Sequence, residues 1–239
     1  MSSLVLLVAV CAVTYSFEIV FGLAGTILML PVLSFFFDVK TLVVYSVLPQ
    51  MLVGLIALGT SYSYKTIDFT FFFKILAFAF LGAGVGIILF ESLPLSVFRL
   101  VLATAITLSG LYMVFKPKHF KLGRYTVRFL DFIAGISHTL LGISGPIVAT
   151  RLVGTFTDKT EIRNYTLAFF LSMNVVRLGG YLVRDTITPA ISNMMLWSAP
   201  FLIVVLLFAN RLHYKISNLW FHRVVAFVIL LSGIILFFK

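Results

Sequence analysis

Glu18-Ile19-Val20-Phe21-Gly22-Leu23-Ala24-Gly25-Thr26-Ile27 is met again, 120 residues further on (22 to 142), as His138-Thr139-Leu140-Leu141-Gly142-Ile143-Ser144-Gly145-Pro146-Ile147. Half of a 239-residue chain separates the two stretches, the offset of a tandem duplication. The register continues without a gap: Phe36 falls on Phe156, Asp38 on Asp158, Tyr45 on Tyr165, Leu58 on Leu178 and Gly59 on Gly179. Glycines, an aspartate and a tyrosine held in step separate this pattern from the chance matching of two Phe/Leu/Gly-rich sequences.

Each copy interrupts a long apolar run, Leu4–Phe37 and Val127–Phe156. At about 1.5 Å per residue, roughly thirty residues make a helix of about 45–50 Å, against about 30 Å of hydrocarbon. Each run must bend or turn back, and the glycines supply the backbone freedom to do so. Ser144-Gly145-Pro146 has the form of a helix start, with a cap at Ser144 and proline near the first helical position. Two half-helices per repeat are therefore expected. The alternative is that Gly22/Gly25 and Gly142/Gly145 are close-packing positions between continuous helices.

Working outward, 61% of the residues are hydrophobic and 11% charged, where a soluble domain carries about a quarter charged residues. A soluble core is excluded. Continuous apolar runs such as Ile75–Phe90 and Leu100–Phe115 also exclude a membrane β-barrel, whose strands need a polar residue at every second position. The net charge of +10 sits in short clusters between apolar segments, which reads as a topology signal and not as a nucleic-acid surface. Cys11 stands alone, so no disulfide or cysteine metal site is expected. Met1-Ser2-Ser3 has no basic leader character, so the first segment is expected to stay. Nucleotide loops, HExxH and metal-ligand spacings are missing, and His119, His138, His213 and His222 are scattered. Neither an enzyme, an ATP-driven pump nor a bound cofactor or metal is expected.

The strongest basic cluster, Lys116, Lys118, Lys121, Arg124 and Arg128, should be cytoplasmic. If the second broken run returns to its own side, Lys159 with Arg163, and Arg211 through Arg223, share that side; the same logic puts Lys65 and Lys74 inside, and the Glu91 loop and both termini outside. Full spans are expected at Leu42–Tyr62, Phe69–Phe90, Leu95–Phe115, Glu161–Val183, Thr188–Leu207 and Leu219–Phe238. The expected fold is an all-α integral membrane protein of two inverted repeats, each a broken, re-entrant helical hairpin plus three transmembrane helices. Residues 1–115 form repeat 1, 116–126 a basic cytoplasmic linker and 127–239 repeat 2, together one transport domain. An odd number of spans in each half makes the inversion.

Non-helical backbone at membrane depth is tolerated only inside protein or along a wet cavity, so both breaks should point inward. Helix N-termini beginning at Thr26 and Pro146 carry free N–H groups and positive dipole ends that favour an anion. Gly22, Ala24, Gly25 and Thr26, with Gly142, Ser144, Gly145 and Pro146, are the candidate binding residues. Arg177, one turn after Asn174, is the candidate fixed positive charge, and its fork of donors suits an oxyanion. An ion pair between Arg177 and Asp131 is its alternative reading. Asn174, Ser172 and Gln50 can add hydrogen bonds or serve as interhelical glue. Glu18 and His138 occupy equivalent positions before the glycines and are proton-coupling candidates, with a structural buried pair as the alternative. Arg99 and Arg151 are expected to snorkel, Asp38 and Asp158 to cap helices, and Tyr45 and Tyr165 to pack.

The duplicated pattern Gly22-Leu23-Ala24-Gly25 with Leu30-Pro31-Val32-Leu33, and Gly142-Ile143-Ser144-Gly145 with Leu152-Val153, resembles the sulfite exporter TauE/SafE family across essentially the whole chain. Ala24 and Ser144 replace glycines of the family pattern, and Arg151 stands where the first repeat has Pro31. The resemblance implies transport of small sulfur-containing anions, sulfite or organosulfonates, across a bacterial cytoplasmic membrane. The expectation is thus a secondary transporter working by alternating access, whose partners are a small anionic substrate, the lipid bilayer and protons as coupling ions, with no nucleic acid. A passive anion channel and a non-transporting scaffold or receptor are the alternatives.

Overall fold

A computed structural model describes residues 2–60, 67–115, 123–153, 155–156, 158–212, 230 and 234. Among these residues all regular structure is helical: α1 (Ser2–Phe21), α2 (Gly25–Leu33), α3 (Val39–Tyr45), α4 (Val47–Thr60), α5 (Phe69–Ser92), α6 (Leu95–Phe115), α7 (Arg124–Leu141), α8 (Gly145–Val153), α9 (Lys159–Val183) and α10 (Pro189–Leu212). Five stretches are long and apolar enough to cross a membrane: Ser3–Phe21, Val39–Thr60, Phe69–Ser92, Thr160–Val183 and Pro189–Arg211. Four of them match expected spans to within a few residues, and α6 begins and ends where expected. The last expected span, Leu219–Phe238, lies almost wholly outside the described residues, as do Lys65, Lys215, Arg223 and most of the basic linker.

Local chemistry sets the helix ends. Asp38 accepts from the Thr41 N–H at 3.0 Å, and Asp158 from the Thr160 N–H at 3.0 Å, so the paired aspartates cap α3 and α9. Asp68 does the same for α5. Between α3 and α4 the helix is interrupted at Ser46, where Pro49 has no N–H to return to the Tyr45 carbonyl.

Both broken runs fold back on themselves. The Tyr15 hydroxyl lies 3.0 Å from Thr26 Oγ1 and 3.6 Å from Met29 Sδ, which only an antiparallel return of α2 along α1 allows. In the second copy Arg151 of α8 reaches Asp131 of α7 at 3.4 Å. The arms are unequal, which corrects the expectation of two half-helices. α1 has 20 residues and α7 has 18, against nine each for α2 and α8. The reason is positional: each glycine motif lies late in its apolar run, so the leading arm reaches a full-span length of about 27–30 Å and only the returning arm is short.

Helix pairing crosses between the halves. α1 packs on α10 and α7 packs on α5, while α4 and α9 face each other centrally. Adding 120 to the residue numbers of α1 and α5 gives those of α7 and α10, so the pairing is preserved when the halves are exchanged. At the α5–α7 crossing the backbones touch. A Cβ on Gly82 would overlap the Phe132 carbonyl, one on Gly86 the Thr139 hydroxyl, and one on Gly135 the Ala79 carbonyl. Small residues four apart permit this approach in the absence of a hydrophobic drive between helices.

The outer surface is apolar: Phe69, Phe73, Phe80, Trp197, Phe201 and Phe208 are all exposed. Glu18, Asp131, His138, Arg163 and Arg177 are buried. Charge inside and hydrocarbon outside is the arrangement a bilayer solvent demands. Gly135→Val is therefore expected to destabilise the fold by about 1–3 kcal/mol or more through overpacking, whereas Gly84→Ala, with nothing within 4 Å of its Cβ position, should leave the melting temperature in detergent unchanged.

Candidate anion site between the helix breaks

The breaks have matching backbone geometry. Gly22 has φ of 78° and Gly142 of 72°, both left-handed, and α2 and α8 begin three residues later at Gly25 and Gly145. Ala24 is also left-handed at φ of 89°, a conformation that costs a residue with a Cβ about 1–2 kcal/mol. Strain of this kind persists where the surroundings hold it, and here Ala24 lies at the mouth of a helix N-terminus.

Both breaks lean on one face of α9. A Cβ on Gly22 would come within 3.1 Å of the Arg163 Cα, and one on Gly142 within 3.2 Å of both terminal nitrogens of Arg177. Arg163, Phe170 and Arg177 are spaced by seven residues, nearly two helical turns, and so share that face. The breaks also meet each other: a Cβ on Gly145 would lie 3.0 Å from Leu23 Cβ, and Gln50 donates to the Gly142 carbonyl at 3.1 Å.

Between them is a cavity of about 10 Å³, lined by Glu18, Ala24, Thr26, Ile27, Gln50, Gly142, Ile143, Ser144, Gly145 and Phe170. That is close to the space needed by a single water. Ala24, Thr26, Gln50, Gly142, Ser144 and Gly145, named from sequence, thus line one space. Gly22 and Gly25 form the first break without lining it. Pro146 lies on the far side of α8, lining a larger apolar cavity with α6 and α7.

Arg177 and Asn174 stand one layer behind. Arg177 is fully buried and donates to Gln50 Oε1 at 3.2 Å, Asn174 Oδ1 at 2.8 Å, the Val43 carbonyl at 2.8 Å and Ser46 Oγ at 3.2 Å. Asn174 donates to Gln50 Oε1 at 3.2 Å. Gln50 therefore joins the positive charge to the cavity wall, accepting from Arg177 on one side and donating to Gly142 on the other. None of the partners is an acid. Asp131 pairs with Arg151 instead, which rules out the Arg177–Asp131 alternative, because Asp131 faces the returning arm α8 and not α9. Arg151 does not snorkel: it is buried, pairs with Asp131, donates to Thr155 at 2.9 Å and stacks over Phe71. Arg99, near the start of α6, is partly buried. Ser172 bonds its own helix at the Ala168 carbonyl.

Glu18 is 1% exposed, and the Gly25 and Thr26 N–H groups and the Gln50 side chain lie against its carboxylate. Among the described residues its Oε1 has no hydrogen-bond partner. His138, fully buried, meets Ser144 Oγ through Nδ1 at 2.8 Å, so that hydroxyl serves the histidine, while the Ser144 carbonyl accepts the first α8 bond from Val148. The imidazole is held between Phe169 and Phe170, and Nε2, on the Asn174 side, makes no hydrogen bond among the described residues. Tyr45 and Tyr165 pack as expected, bonded to Ser198 Oγ and the Asp68 N–H.

Sequence reasoning missed Arg163, Ser46 and Phe170. Arg163 donates through Nε to the Ile19 carbonyl at 2.8 Å and through a terminal nitrogen to Asn210 at 2.7 Å. Read as a loop charge, it is in fact 2% exposed. The signal was available: it lies fourteen residues before Arg177, on the same helical face.

An apolar helical shell of membrane-length helices around buried helix breaks, with cationic and amide donors behind them, defines a polytopic membrane protein. The chain matches the family model described as Sulfite exporter TauE/SafE over residues 6–236, nearly its whole length, and it belongs to that family, one of membrane transporters of sulfur-containing anions. No curated protein and no solved structure gives a match.

Gly142→Ala combines a left-handed backbone with contact against Arg177 and Ser46, and is expected to lower stability by about 2 kcal/mol or more. Ala24→Gly should raise it by about 1 kcal/mol. Melting in detergent reads both, and equal shifts of the same sign would contradict the geometry.

Proposed function

We propose that this protein is a secondary transporter that carries a small sulfur oxyanion, of the sulfite or organosulfonate class, across a bacterial cytoplasmic membrane by alternating access. The observation that carries the reading is the meeting of two helix N-termini, α2 and α8, at one buried cavity whose wall is tied through Gln50 to Arg177. The N–H groups and positive ends at the starts of both helices favour an anion there, and Thr26, Ser144 and Gln50, which line the cavity, are the side chains to orient its oxygens, with Asn174 behind Gln50. Arg177 supplies the positive charge, with no acid among its hydrogen-bond partners in the described residues and the Glu18 carboxylate at longer range.

The exchange-invariant pairing of helices supports two inverted repeats, residues 1–115 and 127–239 joined by a basic linker, acting as one transport domain. In this arrangement each leading arm packs on the opposite half, so rocking one half against the other opens the cavity to one side at a time. Water-sized space favours this over a channel, because an oxyanion of several heavy atoms is admitted only when the breaks separate. Glu18 and His138 are the groups to carry a coupled proton.

Purified protein in liposomes should show saturable sulfite flux and accelerated exchange against internal sulfite. Arg177→Ala, with an intact fold, should cut that flux at least tenfold. Flux linear in concentration without exchange would establish a channel; no flux and no ligand-dependent stabilisation would establish a scaffold or receptor.

A further inference from the structure

Every helix N-terminus needs an acceptor, and the one at α2 has found an acceptor inside the chain. Ala24, at the capping position, offers no side-chain oxygen. The carboxylate of Glu18, on the preceding arm, lies instead against the N–H groups of Gly25 and Thr26. Gly25 is shaped for it, since a Cβ there would approach Glu18 Oε2 to 2.5 Å.

We propose that the Glu18 carboxylate is the resident occupant of the anion seat at α2, and that a sulfur oxyanion takes that seat only by displacing it, which makes Glu18 the gate of the pathway. This inference rests on the anion-transport reading above. Three observations carry it. Glu18 is only half satisfied: among the described residues its Oε1 is buried with no partner, and the side chain lines the cavity, so one of its two oxygens gains nothing from the seat. No cation locks it in place, because among the described residues Glu18 forms no salt bridge; Arg177 acts on it at longer range. Finally, the cavity holds about one water, so the volume for an oxyanion comes from vacating the carboxylate.

The chemistry of exchange is direct. A carboxylate and a sulfonate present the same charge and the same kind of acceptor oxygen to the same two N–H groups. The titratable and charged groups facing Glu18 are Tyr15 on its own helix and Arg177 on α9; α2 and α4 present Thr26 and Gln50. A protonated Glu18 competes less well for the seat, so substrate affinity is expected to rise as the carboxyl is neutralised.

Calorimetric titration of the whole purified protein with methanesulfonate, a monoanion throughout the working pH range, tests the proposal. Wild type should bind more tightly as the solution is made more acidic. Glu18→Gln should bind about tenfold more tightly than wild type at neutral pH and lose the pH dependence. Affinity that is flat with pH in the wild type overturns the gate whether or not the variant folds. Unchanged or weaker affinity in a folded Glu18→Gln overturns it also, while leaving the anion site in place. Failure of both proteins to bind methanesulfonate and sulfite removes the anion site and the gate together.

Discussion

A helix broken inside hydrocarbon exposes carbonyls and N–H groups that lipid cannot satisfy, and the rest of this structure follows from how those groups are met. The carbonyls are taken by fixed donors. Arg163 serves Ile19 at the end of α1, Gln50 serves Gly142 at the end of α7, and Arg177 serves Val43 at the interruption between α3 and α4. Two of the three donors are cations held fully inside the bundle, so satisfying the breaks also brings positive charge to the centre of the molecule. The N–H side of the first break is met differently, by a glutamate on the preceding arm. The donors are held by the packing of α4 and α9, while the acceptor is a side chain that, in the proposed cycle, gives way to the substrate.

The exchange of halves preserves the helix pairing but not the chemistry. Glu18 corresponds to His138 and Gln50 to Phe170, so one break carries an acid and an amide where the other carries an imidazole and an aromatic wall. The returning arms differ too. α2 is uncharged and fully apolar around Pro31, whereas α8 is held by the buried Arg151–Asp131 pair. A charge pair of this kind is costly to break halfway and contributes register more than stability. Such asymmetry suits a transporter in which the two faces present different partners to the same anion.

The break positions were legible because they are written in backbone chemistry: glycines at equivalent places, with helices restarting at Gly25 and Gly145. The capping aspartates and the spans at α5, α6 and α9 were legible for the same reason, since period, length and caps are local. What escaped was non-local. Nothing near Arg163 in sequence announces that Ile19 and Gly22 will need it, and hydropathy averaged over a window reads an arginine four residues into a helix as a loop charge. The glycine contacts of α5 with α7 depend on which helices become neighbours. The Asp131–Arg151 pair required knowing that α8 returns along α7, and hence that Asp131 is taken before Arg177 can reach it.

The most direct measurement is anomalous diffraction from crystals grown with selenite, whose selenium marks the position of a sulfite-like oxyanion. The account predicts a single strong peak inside the bundle, within hydrogen-bond reach of Thr26, Ser144 and Gln50. A peak confined to the surface basic clusters, or none in crystals that diffract well at saturating selenite, would contradict an anion site built from the two breaks.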